Sequence, residues 1–114
     1  MMDLNKFCKE SFKVAKARQD NGGNINVDIF PMLKHCATEV VEAVQAYNEF
    51  DYATDEYYDE VDFANLKRKF EDELADVVSC IAIIAGGEGI DLEAALNRCY
   101  ERNKLRSKNK GDKK

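Results

Sequence analysis

The sequence predicts an all-α fold, a bundle of four to five helices completed by dimerisation. Three features carry that expectation. One proline and six glycines interrupt 114 residues, and the long stretches between them are rich in Ala, Glu, Lys and Leu, which favour helix. Apolar residues recur at spacings of three and four throughout, the period of a half-buried helix. Nothing alternates cleanly enough to read as a β-hairpin. At 45% apolar residues, the chain has the material for one modest core.

A first helix is expected over residues 3–19, where Leu4, Phe7, Cys8, Phe12 and Ala15 line one face. Asn21-Gly22-Gly23-Asn24 stops it, because Gly and Asn accept left-handed and turn conformations. Asp28 suits the N-cap of a second helix, and Pro31 is tolerated in a first turn. Leu33, Cys36, Ala37, Val40, Val44 and Tyr47 form its apolar stripe. Residues 49–62 follow, acidic and rich in tyrosine, and read as solvated surface in either an irregular connection or a short exposed helix. A third helix is expected from about Asn65 to Ala85, with Leu66, Phe70, Leu74, Val77, Val78, Ile81 and Ala85 as its core stripe, ended by Gly86-Gly87-Glu88-Gly89. Asp91 caps a fourth, which fades after Arg106. The expected layout is one domain over 1–106 and a basic, flexible tail over 107–114.

Two carboxylate pairs stand out against this pattern. Glu39 and Glu42 lie three residues apart in the second helix, as do Glu73 and Asp76 in the third. That spacing puts both acids of a pair on one side of a helix. Each pair sits at the same edge of its apolar stripe, so two antiparallel helices bring the pairs together. Carboxylates gathered this way repel unless a cation neutralises them. Oxygen donors favour Mg²⁺, with Mn²⁺ as the alternative. A di-iron bundle is disfavoured because the chain has one histidine, His35. His35 reads as a partly buried or surface residue, not a ligand.

The net charge of −5 is unevenly spread. Residues 98–114 hold eight basic and two acidic side chains; residues 1–97 hold nine basic and twenty acidic ones. The acidic body argues against nucleic acid as a partner. Cys8, Cys36, Cys80 and Cys99 include no close pair of the zinc-binding kind and read as buried apolar residues in a reducing compartment. The polar start lacks a signal-peptide core, and the apolar run from Val77 to Ala85 is too short to span a membrane. The expectation is a cytoplasmic protein with no membrane partner.

The stretch Met32-Leu33 through Thr38-Glu39-Val40-Val41-Glu42-Ala43 resembles the first metal motif of the MazG-like all-α nucleoside triphosphate pyrophosphohydrolases. Glu73-Leu74-Ala75-Asp76-Val77 resembles the second. Gly89-Ile90-Asp91-Leu92-Glu93-Ala94-Ala95 is similar to the turn into that family's last helix, and Asn103-Lys104-Leu105-Arg106 to its Asn-Lys-x-Arg tail. The resemblance implies cleavage of a nucleoside triphosphate between the α and β phosphates, giving a monophosphate and pyrophosphate. It implies Glu39, Glu42, Glu73 and Asp76 as catalytic Mg²⁺ ligands, and Asn103, Lys104 and Arg106 as nucleotide contacts. It also implies a homodimer or higher homo-oligomer. The sequence departs from the family pattern at Thr38, Cys99, Arg102, Ser107 and Lys110, all outside the four carboxylates. The rival expectation is a weak or inactive helical interaction protein of the same fold, in which the acids only form salt bridges.

Overall fold

The structure, a computed structural model, describes residues 3–55 and 60–108. It contains four helices: α1 (Leu4–Asp20), α2 (Ile29–Asp55), α3 (Glu60–Glu88) and α4 (Leu92–Lys108). No strand occurs among the described residues. The all-helical expectation therefore holds, with four helices among the described residues. No described helix is long and apolar enough to cross a membrane.

α1 begins and ends where its local chemistry directs. The Asp3 carboxylate accepts the Lys6 N–H at 3.1 Å, an N-cap that satisfies one of the helix's unpaired donors. At the other end Gly22 takes φ +84°, which a side chain would resist. The Gln19 side chain then accepts the Val27 N–H at 2.7 Å, tying the connecting loop back to α1. α2 starts directly after Asp28, whose carbonyl accepts the Met32 N–H, and Pro31 lies in its first turn.

α2 and α3 pack along most of their lengths and run antiparallel. Aromatic contacts near their connection show the register: Phe50 against Phe63 at 5.1 Å and Tyr47 against Phe70 at 5.2 Å between ring centres. Small residues Ala43, Ala46 and Ala53 are buried on α2. Further along, Ala15 of α1, Met32 of α2, and Cys80 and Ile83 of α3 meet in one core cluster, with Phe12, Ile25, Val27 and Cys36 packed around it. A second cluster joins Cys8 of α1 to Ala82 and Ala85 of α3.

Two expectations about boundaries are corrected. The acidic stretch over 49–62 does not form a separate connection or helix across its described part. α2 continues to Asp55, and α3 already begins at Glu60, with Glu60 and Asp62 in its first turn. Residues 56–59, which include Tyr57 and Tyr58, lie outside the described residues. Gly86 and Gly87 do not end α3; the helix continues to Glu88, and Gly89 turns the chain at φ +66°. The two glycines serve packing instead. A Cβ on Gly86 would overlap the carbonyl oxygen of Cys8, and one on Gly87 would come within 2.7 Å of the Phe12 ring. α1 can cross α3 this closely only over residues without side chains.

α4 packs chiefly on α1 and has no buried residue. A polar clasp fixes its start. The Asp91 carboxylate accepts the Ala94 N–H at 3.0 Å and the Asn5 side-chain amide at 2.8 Å, while Asn5 Oδ1 accepts the Glu93 N–H at 3.2 Å. The Ala94 bond, then the Asn5 bond, hold the Asp91 carboxyl below the ordinary carboxylate value. For an acid lowered by folding, the stabilisation is present above the unfolded value and disappears as pH falls through the folded one. Acidification below about pH 4 should therefore loosen α4 from α1. Amide exchange of residues 92–97 should rise ahead of that of α2 and α3, and Asp91→Ala should erase the pH dependence of the difference. The expected tail is helical as far as Lys108, and residues 109–114 lie outside the described residues.

Candidate metal centre

The antiparallel register of α2 and α3 places the predicted acids in one seam. Donor oxygens of Glu39, Glu42 and Glu73 all lie within 4.8 Å of one another, and all three residues are half-buried. The expectation that the two helices bring their acidic edges together holds for these three. Asp76 stands outside that group and is exposed. Its charge still reaches Glu39 and Cys80.

Two oxygens decide what the site lacks. Glu39 Oε2 and Glu73 Oε2 are buried without a hydrogen-bond partner. An orphaned buried carboxylate oxygen costs about 1–3 kcal/mol or more, so such groups are normally paired. The Glu39 carboxyl is pushed above the ordinary carboxylate value, first by burial and then by the Glu42 charge; His35 opposes this, and Asp76 and Glu73 add to it. Like charges and desolvation acting on one half-buried acid leave a charge that either a proton or a bound cation would neutralise. All the donors of the Glu39–Glu42–Glu73 group are hard oxygens, which fits Mg²⁺ or Mn²⁺.

His35 lies one turn before Glu39, with Nε2 3.1 Å from Glu39 Oε1. Its side chain is 51% exposed, whereas that of Glu39 is 12% exposed. The surface placement expected for His35 holds, but it also touches the candidate centre. Cys8 and Cys80 are buried, whereas Cys36 and Cys99 are half-buried. The Cys36 and Cys80 thiols lie near each other across the α2–α3 seam, and burial, as the largest cause, pushes the Cys80 thiol up to about 12. One signal in the sequence anticipates that proximity. The register that sets Glu39 opposite Glu73 and Asp76 also sets Cys36 opposite Cys80.

The predicted nucleotide contacts are not brought to the carboxylates within one chain. Asn103, Lys104 and Arg106 are exposed on α4, which packs against α1 and not along α2. Their described partners are on α4 itself. The Asn103 amide reaches Cys99 Sγ at 3.7 Å; Lys104 pairs with Glu101 and lies 5.2 Å from the Tyr100 ring centre.

No protein-family model, curated protein or solved structure matches this chain. The chemistry of the site is therefore read from its own side chains.

Part of the expected core is uncovered. Val40, Val44 and Tyr47 on α2, and Leu74, Val78 and Ile81 on α3, are each more than 40% exposed. They repeat at i, i+4, i+7 on both helices, the spacing of one continuous face. Val40, Val44, Tyr47, Phe70 and Leu74 line an apolar groove between α2 and α3. The stripes read from the sequence are real, but within a single chain much of that face has nothing packed on it.

Proposed function

We propose that this chain is a Mg²⁺-dependent nucleotide pyrophosphohydrolase of the MazG-like kind. The observation that carries the proposal is the pair of orphaned buried oxygens on Glu39 and Glu73, inside a three-carboxylate cluster that His35 touches only through the other oxygen of Glu39. The motif resemblance at Glu39–Glu42 and Glu73–Asp76 supplies the reaction class. Glu39, Glu42, Glu73 and Asp76 would hold the metal, Asp76 by turning in from its exposed position. Bound there, Mg²⁺ supplies charge neutralisation at phosphate oxygens. A site carboxylate accepts the proton of the attacking water. Attack at the α phosphorus breaks its bond to the α–β bridging oxygen, leaving a monophosphate and pyrophosphate. Arg106 and Lys104 suit the phosphate chain, and Asn103 a sugar or phosphate hydrogen bond.

The proposal includes a homodimer. The radius of gyration is 17.6 Å, against roughly 13 Å for a compact chain near this length. The six exposed residues of the α2–α3 face are half open to water, and covering each contributes about 1 kcal/mol. A second copy also offers a way to bring an α4 to a carboxylate centre that α4 does not pack against in its own chain. Sedimentation should give twice the chain mass. The double substitution Val44→Lys, Leu74→Lys should return the chain mass and lower activity by at least tenfold if α4 acts across the interface.

The direct test is pyrophosphate release from ordinary and modified nucleoside triphosphates with Mg²⁺, Mn²⁺ or EDTA. Metal-dependent release is expected, and the best substrate defines the base. No release from any nucleotide, with no thermal stabilisation by Mg²⁺, would replace this proposal with that of a helical interaction protein.

A further inference from the structure

His35 and Glu39 stand one turn apart on α2, and Cys80 faces them from α3. One donor atom from each, an imidazole nitrogen, a carboxylate oxygen and a thiol sulfur, all lie within 4.8 Å of one another. His35 Nε2 lies 3.1 Å from Glu39 Oε1.

This donor set differs in kind from the three carboxylates beside it. Mg²⁺ selects oxygen, whereas imidazole and thiolate together suit Zn²⁺ and its borderline-soft neighbours. Bond lengths of about 2.0–2.3 Å in a tetrahedron place donor atoms roughly 3.5 Å apart. A spacing of at most 4.8 Å therefore needs only a modest inward turn, and the half-exposed His35 ring is able to make it. A second observation points the same way: Glu39 carries a buried oxygen with no partner, although its other oxygen faces His35.

We propose that His35, Glu39 and Cys80 form a Zn²⁺-type site that shares Glu39 with the Mg²⁺ site. Binding displaces the Cys80 thiol proton to solvent and leaves a sulfur–metal bond. Filling this site withdraws Glu39 from the Glu39–Glu42–Glu73 group, so Zn²⁺ acts as an inhibitor; this consequence rests on the metal-dependent function proposed above. The site itself does not.

The test uses Co²⁺ as a spectroscopic probe on the reduced full-length chain. A thiolate-to-cobalt charge-transfer band should grow to one Co²⁺ per chain and vanish on adding Zn²⁺. Cys80→Ala should abolish it. His35→Gln, at an exposed position, should weaken Zn²⁺ binding by at least about tenfold. Glu42→Gln, which alters only the carboxylate group, should keep the band. No band in the unmodified chain, or a band that survives in Cys80→Ala, overturns the site. Zn²⁺ should inhibit Mg²⁺-dependent pyrophosphate release at least tenfold less effectively in Cys80→Ala, which otherwise keeps its activity. Equal inhibition of both proteins overturns the sharing of Glu39. A cobalt band without pyrophosphate release from any nucleotide upholds the site and removes both the pyrophosphohydrolase function and the inhibition tied to it.

Discussion

Glu73→Gln should reduce Mg²⁺-dependent pyrophosphate release about 100-fold, equivalent to about 3 kcal/mol of transition-state stabilisation. The substitution keeps the side chain's shape and removes its charge. Glu73 contributes one of the two buried, unpartnered oxygens, so nothing else in the seam replaces it. The metal-free protein should respond in the opposite sense. Glu39, Glu42 and Glu73 repel one another across less than 4.8 Å, and removing one charge relieves that repulsion. Without metal, the variant should melt at the same temperature or higher. Adding Mg²⁺ at about 100 times its dissociation constant should stabilise the unmodified chain by about 2.7 kcal/mol and leave the variant much less affected. A salt-bridge role for these acids predicts the reverse, with lower stability and no metal dependence. Thermal melts with Mg²⁺ and with EDTA, run beside the pyrophosphate assay, separate the two. Asp76→Asn should lose activity as well, if its exposed carboxylate turns in to complete the site.

Gly86→Ala should be the most damaging single methyl in the chain. In most helix interiors, replacing Gly by Ala stabilises by about 1 kcal/mol. Here the added Cβ would overlap the Cys8 carbonyl oxygen, a backbone atom held in α1. Relieving the overlap means moving α1 away from α3 and opening the cluster of Cys8, Ala82 and Ala85. Overpacking of this kind costs about 3 kcal/mol at the upper end of its usual range, so the clash outweighs the propensity gain. The denaturant midpoint should fall by a corresponding amount. Gly87→Ala should cost less, because its Cβ would meet the edge of the Phe12 ring, which is able to turn aside. Equal midpoints for Gly86→Ala and the unmodified protein would show that α1 does not cross α3 at this point.

The glycine pair also shows where local reading falls short. From the sequence, Gly86-Gly87-Glu88-Gly89 looks like a helix stop, since glycine is poor in helix and favoured after it. Only Gly89 has the positive φ that such a stop requires. The other two are set by the distance between α1 and α3, a contact between residues nearly eighty positions apart. The acidic stretch after Tyr47 misled for a related reason. Its charges read as solvated surface in a connection or a short helix, and Glu49, Asp51, Glu60 and Asp62 are exposed, but Phe50 and Phe63 pack across the seam and draw α2 and α3 into longer helices.

The sequence by itself determined the helical class, the cap at Asp91, and the edge on which each carboxylate pair lies. These follow from 3.6-residue periodicity and local hydrogen bonding, which act over a few positions. Only the tertiary structure decided which acids meet. Register and side-chain depth place Glu39, Glu42 and Glu73 together and leave Asp76 at the surface. It also decided that His35, Cys36 and Cys80 gather beside Glu39, although the cysteines lack the close spacing that marks a metal motif in sequence. Donor atoms from separate helices are joined only by packing, and packing distance is not written in the spacing of either helix.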